Sequence, residues 1–279
     1  MKSSVILFTY TPNMERLCAA AMRACNSPHP SYTLYSGKDA LEDETPLDEE
    51  RIKTLLQRAV ELGHHSILEH AQLTFDLQNV SRSCTHQLVR HRIAAYSQQS
   101  QRHVKITRGE GGYVKPPSIS ENTRVPITIS SLKDPVNLTF DDILDITRQM
   151  EAGLLERGIK AEDARYVRPN AAVTNIVTSM NARELLHVLR LRCASSAQWE
   201  IRDVAWAMLA CTKLVAPSIF KNLPGTENAP AFQEKNTKLE ETVDQVRPLF
   251  TAAHAGELIE IPLEQIGQEH PVQALTRKI

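Results

Sequence analysis

The chain has 279 residues, 42% of them hydrophobic and 23% charged, with a formal net charge of -1. That content suffices for a full core in one large domain or one domain with an appendage, and it excludes the broad basic excess on which nucleic-acid affinity draws. No apolar run approaches the ~20 residues of a membrane span, and residues 1–4 lead straight into a strand-like run instead of a leader, so the sequence reads as soluble and cytoplasmic.

The five cysteines, Cys18, Cys25, Cys84, Cys193 and Cys211, are odd in number and far apart, with no Cys-x-x-Cys pair. They are expected to be reduced and mostly buried, which supports neither a disulfide framework nor a zinc knuckle. His64, His65 and His70 lie close together, but no His-Glu-x-x-His pattern is present, and no metal is expected.

In chain order, residues 5–10 form a β-rich run, and Thr11-Pro12-Asn13 supplies a cap and a proline suited to a first helical turn. An alanine-rich helix follows over 14–25, ended by Asn26-Ser27-Pro28, and residues 30–46 read as loop. Over 48–62 the positions Ile52, Leu55, Leu56, Ala59 and Val60 repeat at amphipathic helical spacing, and Gly63 offers a left-handed stop. Ser66 stands three residues before Glu69, the spacing of a capping box, which predicts His64 and Ser66 at a helix N-terminus where N–H groups favour an anion.

An alternating strand over 71–80 leads into a helix over 81–92, with Ser81 as cap and Cys84, Leu88 and Val89 inward. Gln87, Arg90 and His91, three and four apart, then share one helix face, and residues 93–100 are expected to be irregular. From residue 77 to 109 there is no Asp or Glu, while Arg82, Arg90, Arg92, Arg102, Lys105 and Arg108 all fall inside. In a near-neutral chain this is a local anion site, because arginine forks match phosphate oxygens two at a time. Ser97, Ser100, Gln98, Gln99 and Gln101 add neutral donors and acceptors that can read a base or ribose.

Residues 109–137 are rich in glycine and proline and read as loop with short extended pieces. A helix over 139–157 places Ile143, Ile146, Met150 and Leu154 on one side, with Gly158 after it; a short acidic helix over 161–166 carries Arg165. A β-rich segment over 171–180 precedes a helix capped by Asn181, with Glu184 at the third position and Leu185, Leu186, Val188 and Leu189 inward. A last long helix runs to about residue 215, bounded by Pro217. Residues 224–279 form a polar extension with a short surface helix near 238–250.

The run Arg90-His91-Arg92, seven residues, Ser100 and then Arg102 resembles the signature of the flavin-dependent thymidylate synthases. Gly63-His64-His65-Ser66-Ile67-Leu68-Glu69-His70 before a strand, and the Asn181-Ala-Arg-Glu184 block with Arg192 and Gln198-Trp-Glu-Ile-Arg202, resemble the same family in the same order. The resemblance implies an α+β fold, a mostly antiparallel sheet flanked by helices (the thymidylate synthase-complementing protein fold), assembled as a homotetramer with shared active sites. Residues 1–223 would form the catalytic domain and 224–279 an extension.

It also implies reductive methylation of dUMP to dTMP, with 5,10-methylenetetrahydrofolate as carbon donor and NADPH supplying hydride through FAD. Matched by motif position, His64, Ser66, Arg90, His91, Arg92, Asn181 and His187 would hold flavin. Gln87, Gln98, Ser100, Arg102, Arg165 and Arg192 would hold dUMP, with Arg192, Arg90 and Ser100 nearest the chemistry and Ser100 a contact rather than a nucleophile. The absence of a Gly-x-Gly-x-x-Gly run is consistent with a flavin gripped by arginines, histidines and helix ends. Ser97-Gln98 stands where Asn-Glu is usual, and His103 where Tyr is usual; His187 and Ser196 also differ from other members. The alternatives are a flavin-dependent pyrimidine nucleotide hydroxymethylase or UMP methylase of the same fold, a non-catalytic flavin or nucleotide regulator, and an RNA-binding protein.

Overall fold

The computed structural model describes residues 3–37, 47–104, 112–131, 133–223, 225–251, 257–262 and 275–278. The cations Lys105 and Arg108 of the expected anion site lie outside them. By contact the chain forms two compact units, a smaller one from residues 79–86 and 98–175 and a larger one from the remainder.

A six-stranded sheet has the order β3-β6-β2-β1-β7-β8. Its strands are β1 (Ser4–Tyr10), β2 (Gln72–Ser81), β3 (Ala94–Gln98), β6 (Val173–Asn181), β7 (Glu257–Pro262) and β8 (Leu275–Lys278). β1 pairs antiparallel with β2 on one side and β7 on the other, and β7 with β8. Alternation sets which face is buried: Leu73, Phe75 and Leu77 of β2, and Thr174, Ile176, Thr178 and Met180 of β6, are buried in turn.

Helix α8 (Trp199–Val215) packs against β1 and is buried along nearly its whole length, so its sequence shows little amphipathic pattern. Helix α7 (Ala182–Arg192) packs on α8. The Asn181 side chain caps α7 by accepting from the Glu184 N–H at 2.8 Å, as the sequence predicts. Helices α1 (Met14–Arg23) and α3 (Glu49–Glu61) pack together, α3 capped by Asp48 and followed by Gly63 at φ 76.

Several expectations are corrected. Asn13 precedes α1 in a left-handed conformation without a capping side-chain bond. Within the expected loop at 30–46, Ser31–Ser36 forms a short helix, α2, packed against α1. Residues His65–His70 form a 3-10 helix, and Ser66 lies inside it. Glu69 pairs with Arg183 instead of completing a box with Ser66.

The helix expected over 81–92 is the shorter α4 (Arg82–Leu88), with Ser81 as its cap: the Ser81 hydroxyl accepts from the Cys84 N–H at 3.0 Å. The chain turns at 89–90 and enters β3, a strand within residues expected to be irregular. Tyr96 of β3 directs its hydroxyl at the carbonyls of Leu88 and His91, 2.9 and 2.8 Å away, and so shares its one proton between acceptors that a longer helix would have used. Val89, expected inward, is 39% exposed.

In the smaller unit, β4 (Arg124–Ile127) pairs antiparallel with β5 (Val136–Thr139), and Thr139 with Asp142 forms a full capping box for α5 (Phe140–Glu156). The apolar row along α5 is open: Ile143, Ile146 and Met150 are exposed, while Leu144 and Glu151 are buried. The short α6 (Ala161–Ala164) and the 3-10 turn Arg165–Val167 follow, packed on α5.

The C-terminal segment is more structured than its composition suggests. Helix α9 (Pro230–Thr251) is far longer than the expected surface helix and packs on α8 through Phe232, Leu239 and Val243, all buried.

Candidate active site

In the larger unit, a cavity of about 580 Å³ is lined by residues of the 3-10 helix, the turn before β3 and α7, among them Asn181, Glu184, His187 and Arg190. Its size suits a flavin ring system with part of its tail. Asn181 and His187 of the expected flavin set therefore share one cavity because they sit at the cap and second turn of the same helix. His64 and Ser66 are exposed and do not line it; Arg90 and Arg92 are exposed on the turn between α4 and β3.

Beside this cavity lies a hydrogen-bonded cluster. Arg192 Nε donates to His91 Nε2 at 3.0 Å, and Arg192 Nη2 donates to the Gln87 carbonyl at 3.4 Å. Gln87 thus reaches Arg192 through its backbone, and the shared helical face expected for Gln87, Arg90 and His91 does not form, because α4 ends at Leu88. The His91 and His187 rings meet edge to face with centroids 6.0 Å apart. His91 Nδ1 faces Glu184 Oε1 at 3.8 Å, both side chains nearly buried. Burial, then the charges of Arg192 and His187, pull the His91 pKa down to about 4, so the ring is neutral at physiological pH. Burial raises the Glu184 carboxyl above its ordinary range, partly offset by His187.

In the smaller unit, Arg102 and Arg165 converge on Glu162. Arg102 Nη1 lies 3.9 Å from its carboxylate, and Arg165 Nε donates to its backbone carbonyl at 3.1 Å. Arg82 is close enough to Arg165 that burial first, and that like charge second, depress its pKa. Two guanidiniums held near each other favour an anion between them. Ser100 Oγ accepts from the Arg102 N–H at 3.2 Å, a turn contact that does nothing to activate a nucleophile.

Gln98 is fixed by two threonines, its Nε2 donating to Thr85 Oγ1 at 2.8 Å and to Thr174 Oγ1 at 3.4 Å. The Thr85 hydroxyl donates in turn to the Arg82 carbonyl at 3.1 Å, so its oxygen is left as an acceptor that a glutamine satisfies and an ionised glutamate does not. The ion pair of Arg168 with Glu151, at 2.8 and 2.7 Å from Nε, anchors the turn that carries Arg165 to α5.

The sequence assigns no ligand role to Glu184, Arg183 and Arg190, and it marks Arg82 only as one of the cations in the arginine run. Glu184 was read only as a capping partner, although its position three residues before His187 puts both on one face of α7.

An α+β chain with a cavity lined by histidine, arginine and carboxylate side chains among apolar ones, with paired arginines and no glycine-rich fingerprint, has the features of a protein that holds anionic nucleotide ligands outside the Rossmann manner. The comparisons give the class its identity: residues 6–218 match the family described as thymidylate synthase complementing protein, and the chain belongs to that family. It is 40% identical over 227 residues to the flavin-dependent thymidylate synthase of Geobacter sulfurreducens, covering 81% of this chain and 89% of the relative. It is likewise 40% identical over 229 residues to that of Clostridium tetani, covering 79% and 86%. With the Pyrococcus horikoshii enzyme of the same name, identity is 42% over 207 residues, covering 74% and 77%.

Proposed function

We infer that this chain is a flavin-dependent thymidylate synthase, an enzyme that converts dUMP to dTMP. The observation that carries the reading is the match over residues 6–218 together with relatives of that name along most of both chains. The balanced reaction takes dUMP, methylenetetrahydrofolate, NADPH and a proton to dTMP, tetrahydrofolate and NADP⁺: a C–C bond forms at uracil C5, the folate C–N bonds break, and the C5 proton is released. FAD, when bound, relays the hydride from NADPH.

Asn181, His187 and Arg190 line the cavity that suits the flavin ring, and the exposed Arg90 and Arg92 are free to meet its phosphates. His64 and Ser66 belong to the flavin set by motif position; His91 matches the same motif, but its buried ring is bonded to Arg192. Gln87, Gln98, Ser100, Arg102, Arg165 and Arg192 hold dUMP, the paired arginines by its phosphate. Arg192 presents a permanent positive charge that stabilises negative charge developing on the uracil ring as it is activated.

Residues 1–223 carry the catalytic domain, and 224–279 extend it. The enzyme is a cytoplasmic homotetramer with sites shared between copies; the exposed row Ile143, Ile146 and Met150 on α5 supports burial of that helix against another copy. Among the described residues no helix is long and apolar enough to cross a membrane.

The flavin absorbance tests the reading. Enzyme reduced anaerobically with NADPH should reoxidise its flavin on addition of dUMP and methylenetetrahydrofolate together and with neither alone. Reoxidation without dUMP, or none with both, would contradict it.

A further inference from the structure

We propose that His91 is a positioning residue: its neutral ring, backed by Glu184, fixes the Arg192 guanidinium in the orientation that meets the nucleotide. The inference rests on the assignment of Arg192 to dUMP, and it gives His91 a task other than direct contact with flavin.

An arginine side chain only donates hydrogen bonds, so the 3.0 Å contact from Arg192 Nε requires a lone pair on His91 Nε2. The ring proton must then sit on Nδ1, the atom that faces the Glu184 carboxylate at 3.8 Å. A carboxylate on that side favours this tautomer, as second partners do for metal-bound and catalytic histidines. His91 is 6% and Glu184 8% exposed, so water does not compete freely for either.

The second restraint on Arg192 is its Nη2 donation to the Gln87 carbonyl at 3.4 Å. Two points on a planar guanidinium fix the plane, and the remaining N–H groups stay available. Arg192 is half-buried at the last turn of α7, where a long side chain without restraints would sample several rotamers. The other end of the arrangement is also held, because the Tyr96 hydroxyl bonds the His91 carbonyl at 2.8 Å. A ring buried in this way and occupied at Nε2 has little left to offer a ligand.

The test uses the FAD-loaded protein with His91→Gln and His91→Phe. The glutamine carbonyl reaches the place of Nε2 and still accepts from Arg192, whereas phenylalanine fills the space without a lone pair. His91→Phe should weaken dUMP binding, measured by calorimetry, and raise the KM for dUMP, by about tenfold or more, the loss of one charge-assisted hydrogen bond. His91→Gln should stay within about threefold of wild type, and FAD affinity should be unchanged in both.

Equal loss of FAD in the two variants would overturn the proposal in favour of a flavin contact, and wild-type dUMP binding in His91→Phe would reduce the residue to packing. Should His91→Phe not fold, Glu184→Ala carries the same prediction for dUMP, with Glu184→Gln as its rescue. Wild-type protein in the same assay separates the two levels. Absence of methylated product from wild type removes the proposed activity, whereas normal wild-type turnover with an unaffected His91→Phe removes only the role of His91.

Discussion

At the scale of single residues, the site depends on a histidine kept neutral. His91 has an ordinary pKa of 6.5 when unfolded and about 4 when folded, so between those values the unfolded chain binds more protons. Stability is therefore complete above pH 6.5 and falls as pH drops through 4, by roughly 3 kcal/mol for this group alone. Denaturant unfolding measured from pH 7 to pH 4 should show that loss in the wild type and a shallower one in His91→Gln; parallel curves would refute the assignment. The same residue illustrates how far sequence reasoning reached. Its place in Arg90-His91-Arg92 marked it as functional, but the partner Arg192 lies 101 positions away and no local spacing connects the two.

At the scale of elements, short caps and turns aim the arginines. Asn181, Ser81 and the glycine stop after α3 were legible because each acts within a few residues. The early end of α4 was not, since helical periodicity continues past Leu88 and the competing influence is Tyr96 on the next strand. The exposed row on α5 shows a limit of another kind: an apolar face looks the same in sequence whether its own chain or another copy covers it. The turn bearing Arg165 is held by Arg168 and Glu151, whose side chains are 7% and 9% exposed. Replacing Arg168 by Ala leaves a buried carboxylate unpaired and should cost about 3–5 kcal/mol in chemical denaturation. The same variant should bind dUMP more weakly than it binds FAD, and an unaltered dUMP affinity would show that Arg165 does not depend on this anchor.

At the scale of the whole molecule, the family match ends at residue 218, yet the fold continues past it. Lys213 of α8 is fully buried, and its ammonium bonds the Lys221 carbonyl at 2.9 Å and pairs with Glu240 of α9. Trp206 of α8 stacks with Phe232 at 5.1 Å, and Lys235 lies over the same indole at 4.7 Å. The buried positions Phe232, Asn236, Leu239 and Val243 recur at helical spacing, but one of them is polar and solvated charges fill the positions between, so the apolar stripe is narrow. Glu240→Ala leaves the Lys213 charge buried without its counter-ion and should lower stability by about 3–5 kcal/mol. Combining it with Lys213→Met should recover most of the loss, because an apolar side chain of similar length needs no partner. Unfolding curves for the single and double variants that coincide with wild type would show that α9 is not fastened in this way.

The central claim is that this site methylates dUMP. The most direct measurement is the mass of the nucleotide after anaerobic incubation of the protein with dUMP, methylenetetrahydrofolate, FAD and NADPH. The account predicts the mass of dTMP, dependent on every component; a hydroxymethyl product, or unchanged dUMP with flavin bound to the protein, would contradict it.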